Sequence, residues 1–113
     1  MKSLVFMAEQ EPLLALVSGT NRLDLERLQK LVAAPVRRAD ANQVRAATGY
    51  AIGGVPPFGF PSPLRTYIDR DLLQYDVVWA AAGTPHHVFR MQPAELARVT
   101  GGSIEELAET TVV

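Results

Sequence analysis

Taken as a pattern of hydrophobic and polar positions, the chain opens with two apolar runs. Residues 3–8 (SLVFMA) and 13–18 (LLALVS) predict strands, and the polar stretch Glu9-Gln10-Glu11-Pro12 between them predicts a hairpin turn. The second run is almost wholly apolar, as in a strand covered on both faces. Leu25, Leu28, Leu31 and Val32 then recur at helical spacing, with Asp24 placed to cap the helix and Lys30 toward its C-terminal end, in agreement with the dipole. Residues 35–39 (PVRRA) predict a short strand. Asp40-Ala41-Asn42-Gln43 has the form of a capping box and opens a helix through Ala47 that Gly49 terminates. Further on, residues 64–69 (LRTYID) alternate like a strand, residues 71–75 form a helical turn, and residues 76–82 (DVVWAAA) predict a buried central strand ending at Gly83. Residues 87–91 alternate again. Pro93 suits the first turn of a helix running through Val99 and stopping at Gly101, and Ser103-Ile104-Glu105-Glu106 repeats the capping-box pattern for a last short helix.

The predicted order is β-β-α-β-α-loop-β-β-β-α-α. Strands and helices mix without strict alternation, so the fold class is α+β: a mixed, curled sheet with peripheral helices. With 113 residues, and no internal repeat, low-complexity tract or linker, residues 1–113 are expected to form one domain.

One segment fits none of these periods. Residues 48–62, TGYAIGGVPPFGFPS, hold four glycines and three prolines with no charge and several large apolar side chains. A flexible linker would be polar, and a membrane span would lack the breakers. Glycines let a backbone approach a ligand closely and can aim successive N–H groups into a concavity, while prolines hold the shape. Ile52, Phe58 and Phe60 could wall a small apolar pocket for an acyl or aminoacyl group. The same composition also suits a surface loop whose aromatic residues plug the core.

Composition narrows the chemistry. There are no cysteines, which removes disulfides, thiolate nucleophiles and cysteine-bound metal together. Net charge is −1, so long duplex tracking through phosphates is not expected, although a few local arginines suffice for the end of a nucleic acid. Arginine outnumbers lysine nine to two. No Gly-x-Ser-x-Gly elbow surrounds a serine, no His-x-x-x-His is present, and the loop has neither Walker nor dinucleotide spacing. The adjacent His86 and His87 would face opposite ways on a strand, so at most one points into a given site, and a polar turn explains them equally well. Arg37 and Arg38 suit either a phosphate contact or a solvated sheet edge. No apolar run is long enough to span a bilayer and the first residues lack a signal-like cleavage region, so the cytoplasm is the expected location.

Taken in order, several segments resemble the YbaK family of aminoacyl-tRNA deacylases, related to the editing domain of bacterial prolyl-tRNA synthetase. They are Lys2-Ser3-Leu4-Val5-Phe6, Leu23-Asp24-Leu25, Thr48-Gly49-Tyr50, and Gly53-Gly54-Val55-Pro56-Pro57-Phe58-Gly59. Leu72-Leu73, Asp76-Val77-Val78, Ala82-Gly83, Pro93-Ala94-Glu95-Leu96 and Thr100-Gly101-Gly102 continue the series. The resemblance covers essentially the whole chain, and the Gly-Gly-x-x-Pro-x-Gly element is its most specific part. It implies hydrolysis of the ester joining a wrong amino acid to tRNA, commonly alanine or cysteine on proline tRNA, by an attacking water, with no metal, cofactor or covalent nucleophile. The essential lysine of the family matches Lys2. Residues Gly53, Gly54, Val55, Pro56, Pro57, Phe58 and Gly59 would line the aminoacyl pocket, with Gly83 and His86 or His87 as another wall. Arg22, Arg27, Lys30, Arg37, Arg38 and Arg45 are the expected tRNA contacts, the acceptor end of aminoacyl-tRNA and prolyl-tRNA synthetase the expected partners.

Typical members carry a further segment before the matching lysine, whereas here one residue precedes it. The expectation is an N-terminally short editing domain, with Lys2 at a fraying end and an uncovered strand at residues 3–8 that would favour pairing with a second copy. A non-catalytic module that holds aminoacyl-tRNA or a synthetase is the alternative. Which amino acid and tRNA are recognised is not readable, because a pocket discriminates a methylene by only about 1–3 kcal/mol.

Overall fold

A computed structural model describes residues 1–110 of the chain; the last three positions of the expected 1–113 domain lie outside the described residues. Two strands, β1 (Lys2–Ala8) and β2 (Glu11–Val17), form the opening hairpin, paired from Lys2↔Val17 to Ala8↔Glu11. The turn is tighter than the polar stretch suggested. Glu9-Gln10 alone make it, with Glu9 in the left-handed region at φ 57°, and Glu11 and Pro12 already belong to β2. Two-residue connections match the twist of the flanking strands, which explains why pairing extends into the polar residues.

Helix α1 (Leu25–Val32) is capped as its sequence predicts: Asp24 accepts from the Glu26 and Arg27 amides. After the two-residue strand β3 (Arg37–Arg38) comes α2 (Ala41–Thr48), whose Asp40–Gln43 capping box is complete and whose end is closed by Gly49 at φ 82°. The glycine- and proline-rich loop leads to β4 (Arg65–Asp69) and a 3-10 turn (Arg70–Gln74), then to β5 (Val78–Ala81) and β6 (Val88–Met91). Helix α3 (Pro93–Thr100) starts on its proline and ends at Gly101, and β7 (Ser103–Glu105) follows.

The main sheet has the order β3-β1-β2-β4-β7; β1 runs antiparallel to β2 and β3, whereas β4 is parallel to β2 and β7. Strand β2 is central, and Leu13 to Val17 are fully buried. Each such leucine is worth roughly 1.5–3 kcal/mol of hydrophobic stabilisation. Apolar clusters cover both faces. Phe6, Ala15, Val17 and Tyr67 pack with Leu28 of α1 on one, while Val5, Met7, Leu14, Leu16 and Ile68 pack with Val44 of α2, Leu96 of α3 and Val55 of the loop on the other. The fold is the mixed α+β arrangement the pattern predicts. No helix among the described residues is long and apolar enough to cross a membrane.

Three expectations need correction. Residues 103–106 do not open a helix: Ser103–Glu105 pair in parallel with Tyr67–Asp69, a long-range partner that outweighs a local capping pattern. Residues 76–82 are not a central strand either. Strand β5 pairs only with β6 in a separate two-stranded sheet, so Val78 and Ala80 turn inward and Trp79 is 54% exposed. Finally, the strand expected to lie uncovered at residues 3–8 has a second neighbour along Val5–Met7, with β3 pairing to Phe6 and Met7 and the Ala39 amide donating to Val5 O at 3.1 Å.

Candidate active site

The glycine-rich loop is stiff for an identifiable reason. Gly54 to Pro57 are buried, Val55 sits in the core, and Gly53 and Gly59 adopt φ of 89° and 87°. At Gly54 the loop meets the segment after β5 backbone to backbone. The Gly83 amide donates to Gly54 O at 3.0 Å, and a Cβ built on Gly54 would lie 2.9 Å from both Gly83 O and Thr84 Cα. No side chain fits that seam. Gly83 itself is at φ 102°, and a Cβ there would come within 3.2 Å of the Tyr50 ring. Both segments at the contact therefore require glycine, one for space and the other mainly for conformation. The Gly54 amide is already committed to Ala51 O at 3.0 Å, so an incoming carbonyl would need another donor.

Around the seam, Thr84 organises the histidine turn. Its hydroxyl lies 2.6 Å from His87 Nδ1 and accepts from the His86 amide at 3.3 Å; both rings are exposed. Phe58 packs edge-to-face on Phe89, with ring centroids 5.9 Å apart, tying the loop to β6. Beside it lies a cavity of about 190 Å³ lined by Pro57, Phe58, Phe60, Leu64, Thr66 and Val99 among others. The structure thus brings residues 53–59 together with Gly83 and the turn carrying His86 and His87.

Lys2 lies elsewhere. Alternation along β1 puts it with Leu4 and Phe6 on the α1 face, opposite the face that packs against Val55. It is half-buried within a paired strand, and its ammonium donates to Asn21 O. The next residue back, Met1, donates its amine to Trp79 O at 3.1 Å, linking the start of β1 to β5. Burial, then the neighbouring Lys2 charge, holds that amine below its usual pKa. Lys2 opens onto a cavity of about 330 Å³ shared with Arg22 and Arg38, floored by Leu4, Phe6 and Leu25 and flanked by Glu109. Arg38 also stacks its guanidinium over the Phe6 ring at 5.6 Å.

The remaining cations do not gather there. Arg27 and Lys30 border a larger cleft of about 570 Å³ together with the acidic Asp24, Glu26, Glu105 and Glu106. Arg27 is engaged there by Glu106 at 3.2 Å and Asp24 at 3.5 Å. Arg37 donates to Gln43 Oε1 at 3.1 Å, and Arg45 is exposed on α2. Among the described residues no group of three or more His, Asp or Glu is placed to hold a metal.

Sequence reasoning passed over Asn21 and Asp69. Asp69, 1% exposed at the end of β4, accepts from the Ser18 amide at 3.0 Å, the Asn21 side chain at 2.9 Å and the Asp71 amide at 3.0 Å. The one signal available was an acid closing the apolar strand TYID, and nothing local told it from an ordinary turn residue.

The fold is shared with solved proteins. A crystal structure described as a candidate trans-editing enzyme for prolyl-tRNA synthetase superposes with a TM-score of 0.93 at 52% identity, over 96% of this chain and 69% of that one. Among curated relatives, the uncharacterized protein YwhH of Bacillus subtilis is 30% identical over 85% of this chain. EbsC of Enterococcus faecalis, named as a candidate Cys-tRNA(Pro)/Cys-tRNA(Cys) deacylase, is 28% identical over 94%. The chain spans 62% and 66% of the lengths of these two proteins, less than two thirds of either. The sequence model of the aminoacyl-tRNA editing domain matches residues 1–99, nearly the whole described chain, and the protein belongs to that family.

Proposed function

We propose that this chain is a trans-editing deacylase, a single editing domain that hydrolyses the ester of a mischarged aminoacyl-tRNA, with alanine or cysteine on proline tRNA as the expected substrates. Water adds to the ester carbonyl, the bond to the terminal ribose oxygen breaks, and free amino acid and uncharged tRNA leave. The observation that carries this reading is the glycine seam. In a chain of the editing family, Gly54 and Gly83 meet with no room for a side chain and hold a rigid apolar loop beside a small cavity, a geometry suited to a small acyl group. Lys2, with Arg22 and Arg38, supplies positive charge on the opposite face of the sheet for phosphates of the acceptor end. The separation of charge from loop fits an extended, single-stranded substrate better than a compact one. The expected test is release of amino acid from tRNA charged with alanine, cysteine, serine or proline, against the uncatalysed rate at the same pH. Turnover of one mischarged species, lost in Lys2→Ala, supports the reading.

A second reading rests on a specific observation. The Lys2 ammonium is held by Asn21 O on the face away from the loop, an arrangement also suited to a module that binds aminoacyl-tRNA without hydrolysing it. Binding of charged tRNA with no turnover above baseline on any of the four species would select it.

A further inference from the structure

Two residues that the family pattern did not single out converge on Lys2. Asp69 is a carboxylate removed from water, and burying a charge is costly unless it is fully hydrogen-bonded. Here it is: Oδ2 takes the Ser18 amide and the Asn21 side chain, and Oδ1 takes the Asp71 amide. Its position is fixed by the pairing of β4 with β2, where Ile68 lies opposite Leu16. Asn21 in turn spends both hydrogens of its amide, one on Asp69 and the other on Asp71 Oδ2 at 2.8 Å, while its backbone N–H donates to Ser18 O at 3.0 Å. An asparagine so held has its backbone carbonyl fixed as well, and that carbonyl receives the Lys2 ammonium.

The connection from β2 to α1 does not need this arrangement merely to close. It is tied separately by the Asp24 amide to Leu107 O at 2.7 Å and by the bridge between Leu23 and Ala108. An ammonium has three donors. With one directed to Asn21 O, the others are available to the cavity that Arg22 and Arg38 share. We propose that Asp69 and Asn21 are positioning residues for Lys2, the buried carboxylate orienting Asn21 and Asn21 docking the ammonium toward that cavity. This rests on the reading above in which Lys2 acts on the substrate.

The test uses two measurements on the same proteins. The chain has two lysines, Lys2 and Lys30, so protein labelled with carbon-13 and nitrogen-15 in lysine gives two side-chain signals, assigned by Lys30→Arg. In Asp69→Asn, the Lys2 signal is expected to move toward that of free lysine while Lys30 stays put. The kcat for deacylation should fall about 10- to 100-fold, as expected for a misplaced group, with KM for charged tRNA within about twofold. Asn21→Ala, at a half-exposed position, keeps the backbone carbonyl and should act in the same direction; it decides the matter where Asp69→Asn fails to fold. A Lys2 signal unmoved in a folded variant overturns the proposal whatever the activity. A moved signal with undiminished kcat overturns it too, as does full activity in Lys2→Ala. No turnover in wild-type protein would sink the deacylase reading instead, and the lysine signals would still report whether Asp69 and Asn21 hold Lys2.

Discussion

The two sides of the sheet near the candidate site are held by opposite means. On the loop side, Gly54 and Gly83 touch through backbone alone, and specificity is steric: the contact exists because Gly54 carries no side chain. On the α1 side, Lys2, Asn21 and Asp69 are linked by hydrogen bonds spanning residues far apart in sequence, and specificity is polar. A steric seam rejects any added atom regardless of charge. A polar chain tolerates isosteric change in shape and fails when an acceptor is lost. The difference teaches which substitutions each side should resist.

The largest effect is expected where a buried acceptor is removed outright. Asp69→Ala leaves the Ser18 and Asp71 amides and the Asn21 side chain without their partner, and should cost about 3 kcal/mol of stability, measured by urea unfolding. A loss under about 1 kcal/mol would mean water replaces the carboxylate, and the polar side would not be the rigid one.

Next comes the seam. Gly54→Ala forces a Cβ to 2.9 Å from Gly83 O and Thr84 Cα, both backbone and unable to swing away, so the two segments must part. About 2 kcal/mol is expected from such overpacking, with loss of whatever activity the loop supports. Gly53→Ala is the control, since its Cβ makes only ordinary contact with the Pro85 ring, Cγ at 3.6 Å and Cβ at 3.8 Å, and its cost is conformational, from φ 89°. That cost should be nearer 1 kcal/mol. Equal losses in the two variants would show that backbone conformation, rather than close approach, makes the loop glycine-rich.

The sequence disclosed these two sides unequally. Local chemistry was legible wherever a short stretch carried its own partner. Asp24 caps α1, Asp40 and Gln43 close their box, and Gly49 and Gly101 end their helices in the left-handed conformation. The same logic failed at residues 103–106, because what makes Ser103–Glu105 a strand is Tyr67–Asp69, which no local pattern contains. Residues 76–82 looked central because Val77, Val78 and Trp79 are all apolar, yet alternation on a two-stranded ribbon leaves Trp79 outside. At the site, the glycine loop was visible as composition and Lys2 as part of a family pattern. That Lys2 lies on the other face follows from its even spacing with Leu4 and Phe6, but only once the loop is known to pack on Val5 and Met7. Asp69 and Asn21 meet across 48 residues, and their pairing is a property of the sheet rather than of any segment.

A smaller effect separates the cations. Arg38 borders the Lys2 cavity, whereas the Arg27 guanidinium is engaged by Glu106 and Asp24. If phosphates of the acceptor end lie along the cavity, Arg38→Ala should reduce the salt slope of tRNA binding by about 1, and Arg27→Ala should leave it nearly unchanged. Binding of uncharged tRNA measured across a salt series checks both. An equal reduction in the two variants would move the binding surface from the cavity to the α1 cleft.

The smallest effect concerns Tyr67, two residues before Asp69 on the same face of β4. Its ring is buried and its hydroxyl has no hydrogen-bond partner among the described residues, with the Arg65 guanidinium 5.5 Å from the ring centre. Burial raises its pKa above the ordinary tyrosine value; Arg65 opposes this, and Glu11 and Glu105 add to it. The folded state therefore keeps the proton at a pH where the unfolded chain has lost it. The stability tied to that proton is fully present below about pH 10, the unfolded value, and is lost as pH rises through the higher folded value. Tyr67→Phe should remove that alkaline decline. At neutral pH it should change stability little, because an unpartnered buried hydroxyl contributes no hydrogen bond to lose. Urea unfolding of both proteins from pH 7 to 11 is the measurement. Parallel declines in the two would place the alkaline sensitivity on another group, and a large loss at pH 7 in Tyr67→Phe would mean that the hydroxyl has a partner after all, making this face more fully hydrogen-bonded than the loop side.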